Sequence, residues 1–333
     1  MGAAGEFLVD LAERLTLRCD PATVRAVMER ACGGQLDARR PDGRRASLLT
    51  RSGIPFEVSV TGGRGKLTPV LRYTTETATQ NMEIGSRADA QLAAIRDLVG
   101  WLPQGDETVV DLFQSFVATL YPDPTKVPAH SATWIGVAHD TAAPHHADRL
   151  KMYCGLNVSG ALRRLCSAWP GFAEFASVPD EEKLIRPAIA TIEVDAHGEV
   201  IHKLYLRARY DDVAVPMKLV RYFGDPAWEV LSELVRCGAD AAELHQYNFF
   251  VSYALGSGAP VFGLDVGARQ NDLTVLVREL ASRHHGTTHA VDALAQAAES
   301  CGATLRYSFV GMGFSDKGID KLKVYGTPTW STE

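Results

Sequence analysis

The sequence predicts an α+β chain whose ten antiparallel strands, grouped as five hairpins, close into a barrel with helices on the outside. Three observations lead there. Alternating apolar and polar stretches come in pairs joined by turn residues, helical stretches separate the pairs, and Lys-x-Tyr recurs on the second strand of a pair.

The chain opens on MGAAGEFLVDLAERL, where Glu6, Asp10 and Glu13 interrupt the apolar positions, so it reads as an amphipathic helix rather than a signal peptide. The first pair of strands is IPFEVSV (54–60) and LTPVLRYTTE (67–76), joined around Gly62, Gly63 and Gly65. ATWIGVAHD (132–140) with DRLKMYCGL (148–156) makes the second, and AIATIEVD (188–195) with VIHKLYLRA (200–208) the third, bending at Ala196, His197 and Gly198. The fourth is FFVSYAL (249–255) with PVFGLDV (260–266) around Gly256 and Gly258, and the fifth LRYSFVGMGF (305–314) with IDKLKVYGT (319–327) around Asp316 and Gly318. Between them, DAQLAAIRDLVGWL, EVLSELVRCGADAAELHQY and AVDALAQAAESCG have the Ala, Leu, Glu and Arg content of helices.

The pairs Lys151/Tyr153, Lys203/Tyr205 and Lys323/Tyr325 are spaced by 203 − 151 = 52 and 323 − 203 = 120, the latter two units of 60. The skipped position falls near 263, where the fourth hairpin reads VFGLDV, so one repeat has lost the pair. Closing ten strands removes the exposed edges of an open sheet, and a barrel of this size leaves room for ligands. No Gly-, Pro- or Ser-rich linker divides the chain, which gives one domain over 1–333.

The 333 residues are 46% hydrophobic and 22% charged with a net charge of −6, which supports a sizeable core and argues against a surface built for nucleic acid or anionic membrane. Any anion must be held by a local cluster of cations. Cys19, Cys32, Cys154, Cys166, Cys237 and Cys301 lie far apart, as free thiols in a reducing compartment do. No apolar run approaches the roughly 20 residues of a membrane span, so the expectation is a soluble cytoplasmic protein, monomer or homodimer.

Residues two apart on a strand face the same way, so the Lys and Tyr of each pair share one compartment, joined there by Arg149, Arg207 and Lys321. Such pairs are also common on solvated strands, where Lys snorkels beside Tyr. Turned inward, the lysines repel and lose hydration, so they need a multivalent anion such as a diphosphate. Phenols around it donate hydrogen bonds and present aromatic faces to a carbocation, which is what ionising an allylic diphosphate requires. Glu57 shares its face with Pro55 and Ser59 and points inward if Phe56 and Val58 pack on helices.

With SGIPFEVS, VLRYTTE, RLKMY, HKLYL and the late KLKVY, the chain from about Ser52 to Tyr325 resembles the ABBA aromatic prenyltransferases, particularly the dimethylallyltryptophan synthase type and bacterial indole prenyltransferases. The resemblance implies transfer of a dimethylallyl group from its diphosphate to an aromatic carbon of tryptophan or another indole. By position it implies that Glu57 accepts the indole N–H hydrogen bond and later assists loss of the ring proton. A structural ion pair between Glu57 and Arg72 is the alternative. Diphosphate ligands fall on Arg72, Arg149, Lys151, Tyr153, Lys203, Tyr205, Lys323 and Tyr325. The chain departs from the family twice. Its fourth hairpin offers Phe262 and Leu264 where relatives often place Gln or Lys with Tyr, making these two and Tyr253 candidate lining for prenyl group or acceptor. Its Arg-x-Lys-x-Tyr stands on the second hairpin rather than the third.

Magnesium is expected to be dispensable and no cofactor required beyond the prenyl diphosphate, since the only Asp-Asp, Asp211-Asp212, lacks the later Asp of a metal-binding helix motif. His145-His146 and His284, His285 and His289 read as ordinary loop and helix-end histidines. TGGRGK (61–66) lacks phosphate-loop spacing and reads as a hairpin turn. Two other functions stay open: the same donor with a phenolic, phenazine or peptide acceptor, and a non-catalytic barrel that binds an anionic hydrophobic ligand.

Overall fold

The computed structural model describes residues 2–77, 84–128, 131–177, 184–256, 261–267 and 272–330. Two helices precede each hairpin, five times over. Helices α1 (Gly2–Arg14) and α2 (Pro21–Cys32) lead to β1 (Phe56–Gly63), the two-residue β2 (Lys66–Leu67) and β3 (Arg72–Glu76). Helices α3 (Ile84–Val99) and α4 (Glu107–Leu120) lead to β4 (Thr133–His139) and β5 (Ala147–Gly155). The third unit is α5 (Ala161–Ala168), α6 (Ala173–Ala176), β6 (Ile185–Asp195) and β7 (Val200–Ala208). The fourth is α7 (Val215–Phe223), α8 (Asp225–Arg236), β8 (Asn248–Leu255) and β9 (Val261–Gly267), and the last α9 (Thr274–His284), α10 (His289–Ser300), β10 (Ala303–Ser315) and β11 (Gly318–Trp330).

Setting aside the short β2, each strand pairs antiparallel with its chain neighbours, and β11 pairs with β1 to close the sheet, with Ser59 opposite Tyr325 and Thr61 opposite Lys323. The short β2 only extends the first hairpin, whose two-residue loop puts Arg64 and Gly65 at φ 53° and 71°. Positive φ at both central residues matches the right-handed twist of the flanking strands. TGGRGK is therefore a hairpin turn. The third and fifth bends likewise carry left-handed Gly198 and Gly318, while Gly258 and Pro260 of the fourth lie outside the described residues.

The apolar half of each strand's alternation faces out. Val58, Leu150, Ile192, Leu204, Val266 and Val324 are each at most 1% exposed, packed in one core with helix residues such as Phe7, Leu98, Phe113 and Leu234. Each such side chain contributes about 1.5–3 kcal/mol on burial, so the main core is the shell between barrel and helices and the lumen is left to polar residues. Asp20 caps α2 ahead of Pro21 and Asp106 caps α4, which fixes where these helices start.

One expected helix is shorter than its pattern. The stretch 229–247 stays helical only to Arg236, because Gly238 takes φ 100° and the remainder is a 3₁₀ turn over Ala241–Gln246. Among the described residues no helix is long and apolar enough to cross a membrane.

Candidate active site

The second strands β5, β7, β9 and β11 all run in the same direction, since each is antiparallel to the strand between. Corresponding residues of the repeats therefore stand at corresponding depths. Tyr153, Tyr205 and Tyr325 line a cavity of about 750 Å³ together with Glu57, Thr74, Trp134, Arg207, Phe250, Asp265, Arg306, Ser308 and Phe309, and the segment Leu48–Ser52 also borders it. Their partners Lys151, Lys203 and Lys323 lie two residues back, about 7 Å deeper along the strands, and are not part of the cavity wall.

The deep layer is a cluster of cations around the buried carboxylate of Glu193, with Asp148 also 3.5 Å from Arg149 Nε. Glu193, on β6 opposite Lys151, receives Arg149 Nη1 at 2.6 Å and has Lys203 Nζ at 3.6 Å and Lys151 Nζ at 3.7 Å. Burial opposes its ionisation, but the charges of Lys203, Lys151, Arg149 and Arg72 outweigh that and hold its carboxyl well below the ordinary range. Lys321 feels the opposite balance: burial, then repulsion from Arg72 and Lys203, lowers it to about 8. Lys323 is pushed well down by burial and by Lys203, with Asp265 opposing. A cluster that lowers its own lysines is one that a multivalent anion would stabilise.

The phenols sit directly above. Lys151 Nζ donates to Tyr205 Oη at 3.0 Å and lies 4.6 Å from the centroid of the Tyr153 ring. Burial raises Tyr205 and Tyr325 well above the ordinary phenol value, so both remain hydrogen-bond donors at neutral pH. Higher in the lumen, Ser308 Oγ donates to Glu57 Oε1 at 2.5 Å. Burial raises the Glu57 carboxyl to about 7, with the Ser308 hydrogen bond lowering it and the nearby charge of Asp265 raising it.

The sequence-derived residues Glu57, Arg72, Arg149, Lys151, Tyr153, Lys203, Tyr205, Lys323 and Tyr325 therefore converge on one lumen. Arg72 acts there through its charge on Glu193, Lys321 and Lys323. Among the described residues Glu57 bonds to Ser308, not to Arg72. Tyr253, Phe262 and Leu264 are corrections, because all three lie on the outside. Tyr253 stacks on Phe175 of α6 at 5.0 Å, Phe262 meets Phe223 of α7 and Phe314, and Leu264 is fully buried in the outer core. Strand parity is the reason: with Asp265 opposite Gly311 and Gly263 opposite Gly313, the inward residues of β9 are Gly263 and Asp265. They occupy the Lys and Tyr places of the lost pair. The 60-residue unit, which lands on 263, was the signal that could have found Asp265. Glu193, Ser308 and Arg306 carry no repeat signature.

Four of the histidines singled out in the sequence are engaged elsewhere, His146 through Nδ1 at 3.2 Å from the Trp101 carbonyl. His145 is close to Asp20, His284 to Glu233, and His285 to the Leu322 carbonyl.

No protein-family model matches the sequence, and no curated protein matches it. Solved structures do. The 5-dimethylallyltryptophan synthase of Streptomyces coelicolor, in complex with DMASPP and Trp, is 16% identical with a TM-score of 0.73, covering 98% of this chain and 94% of that one. The 6-dimethylallyltryptophan synthase of Micromonospora olivasterospora, in complex with the same two compounds, is 18% identical with a TM-score of 0.71, covering 97% and 95%. PriB, in a binary complex with product diphosphate, is 15% identical with a TM-score of 0.73, covering 99% and 98%. The chain has the fold of the dimethylallyltryptophan synthases, the closed antiparallel barrel wrapped in helices that its repeated motifs resemble.

Proposed function

We propose that this protein is an aromatic prenyltransferase that moves a dimethylallyl group from its diphosphate to a ring carbon of tryptophan or another indole, releasing diphosphate. The observation that carries the reading is the stacking of the lumen: buried cations at depth, phenols above them and a carboxylate above the phenols, with the phenols and the carboxylate lining the cavity. The neighbours bound to DMASPP and Trp, and to product diphosphate, support it at the level of fold.

Arg72, Arg149, Lys151, Lys203, Lys321 and Lys323 would neutralise the diphosphate, while Tyr153, Tyr205 and Tyr325 donate to its oxygens and present their faces to the allylic cation. The acceptor would fill the cavity against Trp134 and Phe250 with its N–H toward Glu57. A carboxylate there withdraws no electrons and favours the positive charge that develops on the ring. Arg207 and Arg306 on the same cavity wall suit an acceptor that carries a carboxylate.

The test is to incubate the protein with dimethylallyl diphosphate and tryptophan, indole or a phenol, and to follow both released diphosphate and the mass increment of one dimethylallyl group. Product with the indoles is expected, and it should form in EDTA, because protein cations carry the charge neutralisation. Diphosphate binding without product from any acceptor would leave a binding protein instead.

A further inference from the structure

Four second strands place a residue at the same inward position just above the cations: Tyr153, Tyr205, Asp265 and Tyr325. Asp265 is the exception among three phenols. It stands between Phe250 on β8 and Gly311 on β10, and Gly311 in turn stands opposite Lys323. A Cβ at Gly311 would lie 2.1 Å from Asp265 Oδ1 and 3.5 Å from the Tyr325 ring. The missing side chain of Gly311 is thus the space that the carboxylate occupies, leaning toward Tyr325. Among the described residues no hydrogen bond or ion pair engages it, and it borders the cavity.

The carboxylate also lies between the two halves of the site. It acts electrostatically on Lys323 below and on Glu57 above. Burial raises its own proton affinity, which Lys323, Lys151 and Lys203 offset only in part.

We propose that Asp265 is the base that removes the proton from the alkylated ring carbon, an inference that rests on the prenyl-transfer reading above. In the step, the C–O bond of the allylic diphosphate breaks and its electron pair leaves with the diphosphate. The allylic carbon bonds to a ring carbon, which becomes tetrahedral and shares a positive charge with the ring. The C–H bond at that carbon then breaks, its electron pair restores the aromatic ring, and the proton passes to Asp265 and on to cavity water. Glu57 holds the N–H, which is kept throughout, so the two carboxylates serve different protons. In the proposed site a carboxylate at the level of the phenols would stand nearer than Glu57, at the N–H edge, to the ring carbon that faces the allylic cation.

The experiment compares wild type with Asp265→Asn and Asp265→Ser, using dimethylallyl diphosphate and ring-protiated or ring-deuterated L-tryptophan, or indole if tryptophan is not turned over. Binding of inorganic diphosphate checks that the variants are folded. The wild type is expected to show no isotope effect on kcat, because proton loss follows the slow ionisation. Both variants should lose about 10²-fold in kcat and gain a primary isotope effect, with diphosphate affinity retained. Wild-type kcat in the variants overturns the inference, as does a fall without an isotope effect or one explained by weaker diphosphate binding. A wild type that alkylates neither acceptor defeats the prenyl-transfer reading itself.

Discussion

Lys151 reaches past a whole strand to Tyr205: its Nζ, on β5, donates at 3.0 Å to the phenol of β7, while β6 lies between them. On the same strand, Tyr153 turns its ring toward that ammonium. The bond ties two repeats together over the intervening strand, and in the proposed site it would aim a charge at the diphosphate. Lys151→Ala and Lys203→Ala should each weaken diphosphate binding by at least about 10-fold, since a charged hydrogen bond contributes roughly 1.5–3 kcal/mol. Tryptophan binding should be unchanged. Titration calorimetry with each compound separately measures both, and equal diphosphate affinity in all three proteins would place these lysines outside the site.

Glu193 compensates Arg149, Lys151 and Lys203 in the absence of an anion. Glu193→Gln leaves Lys151 and Lys203 without this carboxylate while Arg149 keeps Asp148, at a cost of about 3–5 kcal/mol in the free protein. Diphosphate should then raise the melting temperature of the variant more than that of the wild type. The Glu193 carboxyl lies well below its ordinary value. Its contribution is therefore present above about pH 4.5 and lost as pH falls through the lowered value. Thermal melts with and without diphosphate, at neutral and acid pH, check both points.

Glu57 is raised to about 7, and in the proposed reaction the form that would assist the ring is the ionised one. Turnover should therefore fall on the acid side of about pH 7. Glu57→Gln should lower turnover by about 10²-fold and erase that limb, with diphosphate affinity unchanged. Stability should move the other way. A raised carboxyl is stabilising below its unfolded value and loses that contribution as pH rises from about 4.5 to 7, so the Gln variant should gain on the wild type across that window. A pH–rate profile and parallel urea unfolding measure the two effects.

Away from the lumen, Arg87 Nη2 bonds the Glu76 carboxylate at 2.8 Å, the Ser131 carbonyl at 3.1 Å and Thr133 Oγ1 at 2.9 Å, tying α3 to β3 and β4. Both ionic side chains are at most 1% exposed. Arg87→Met leaves Glu76 buried without its cation, and should cost about 3–5 kcal/mol in urea unfolding. Diphosphate affinity should survive wherever the variant folds.

The repeat was legible in the sequence because it is local: alternation marks a strand, turn residues mark a hairpin, and Lys-x-Tyr marks a face. The strand 200–208 was bounded by that reading as it stands in the structure. On the second, third and fifth hairpins, parity alone turned the right side chains inward. The fourth hairpin shows where local reading stops. Its VFGLDV carries apolar residues at 262 and 264, which look like ligand lining, yet which face is inward depends on the ladder to β8 and β10. A one-residue change in that choice exchanges Phe262 and Leu264 for Gly263 and Asp265.

The sequence by itself determined the ten strands, their pairing into hairpins and the identity of most cations, since each follows from residues close together in the chain. Only the tertiary structure decided that Glu193 sits among those cations, that Ser308 holds Glu57 across 251 residues, and that Asp265 takes a phenol's place. Those relations depend on barrel closure between β11 and β1 and on the stagger of every ladder around it. Stagger is set by the packing of all ten strands against their helices, so no single segment encodes it.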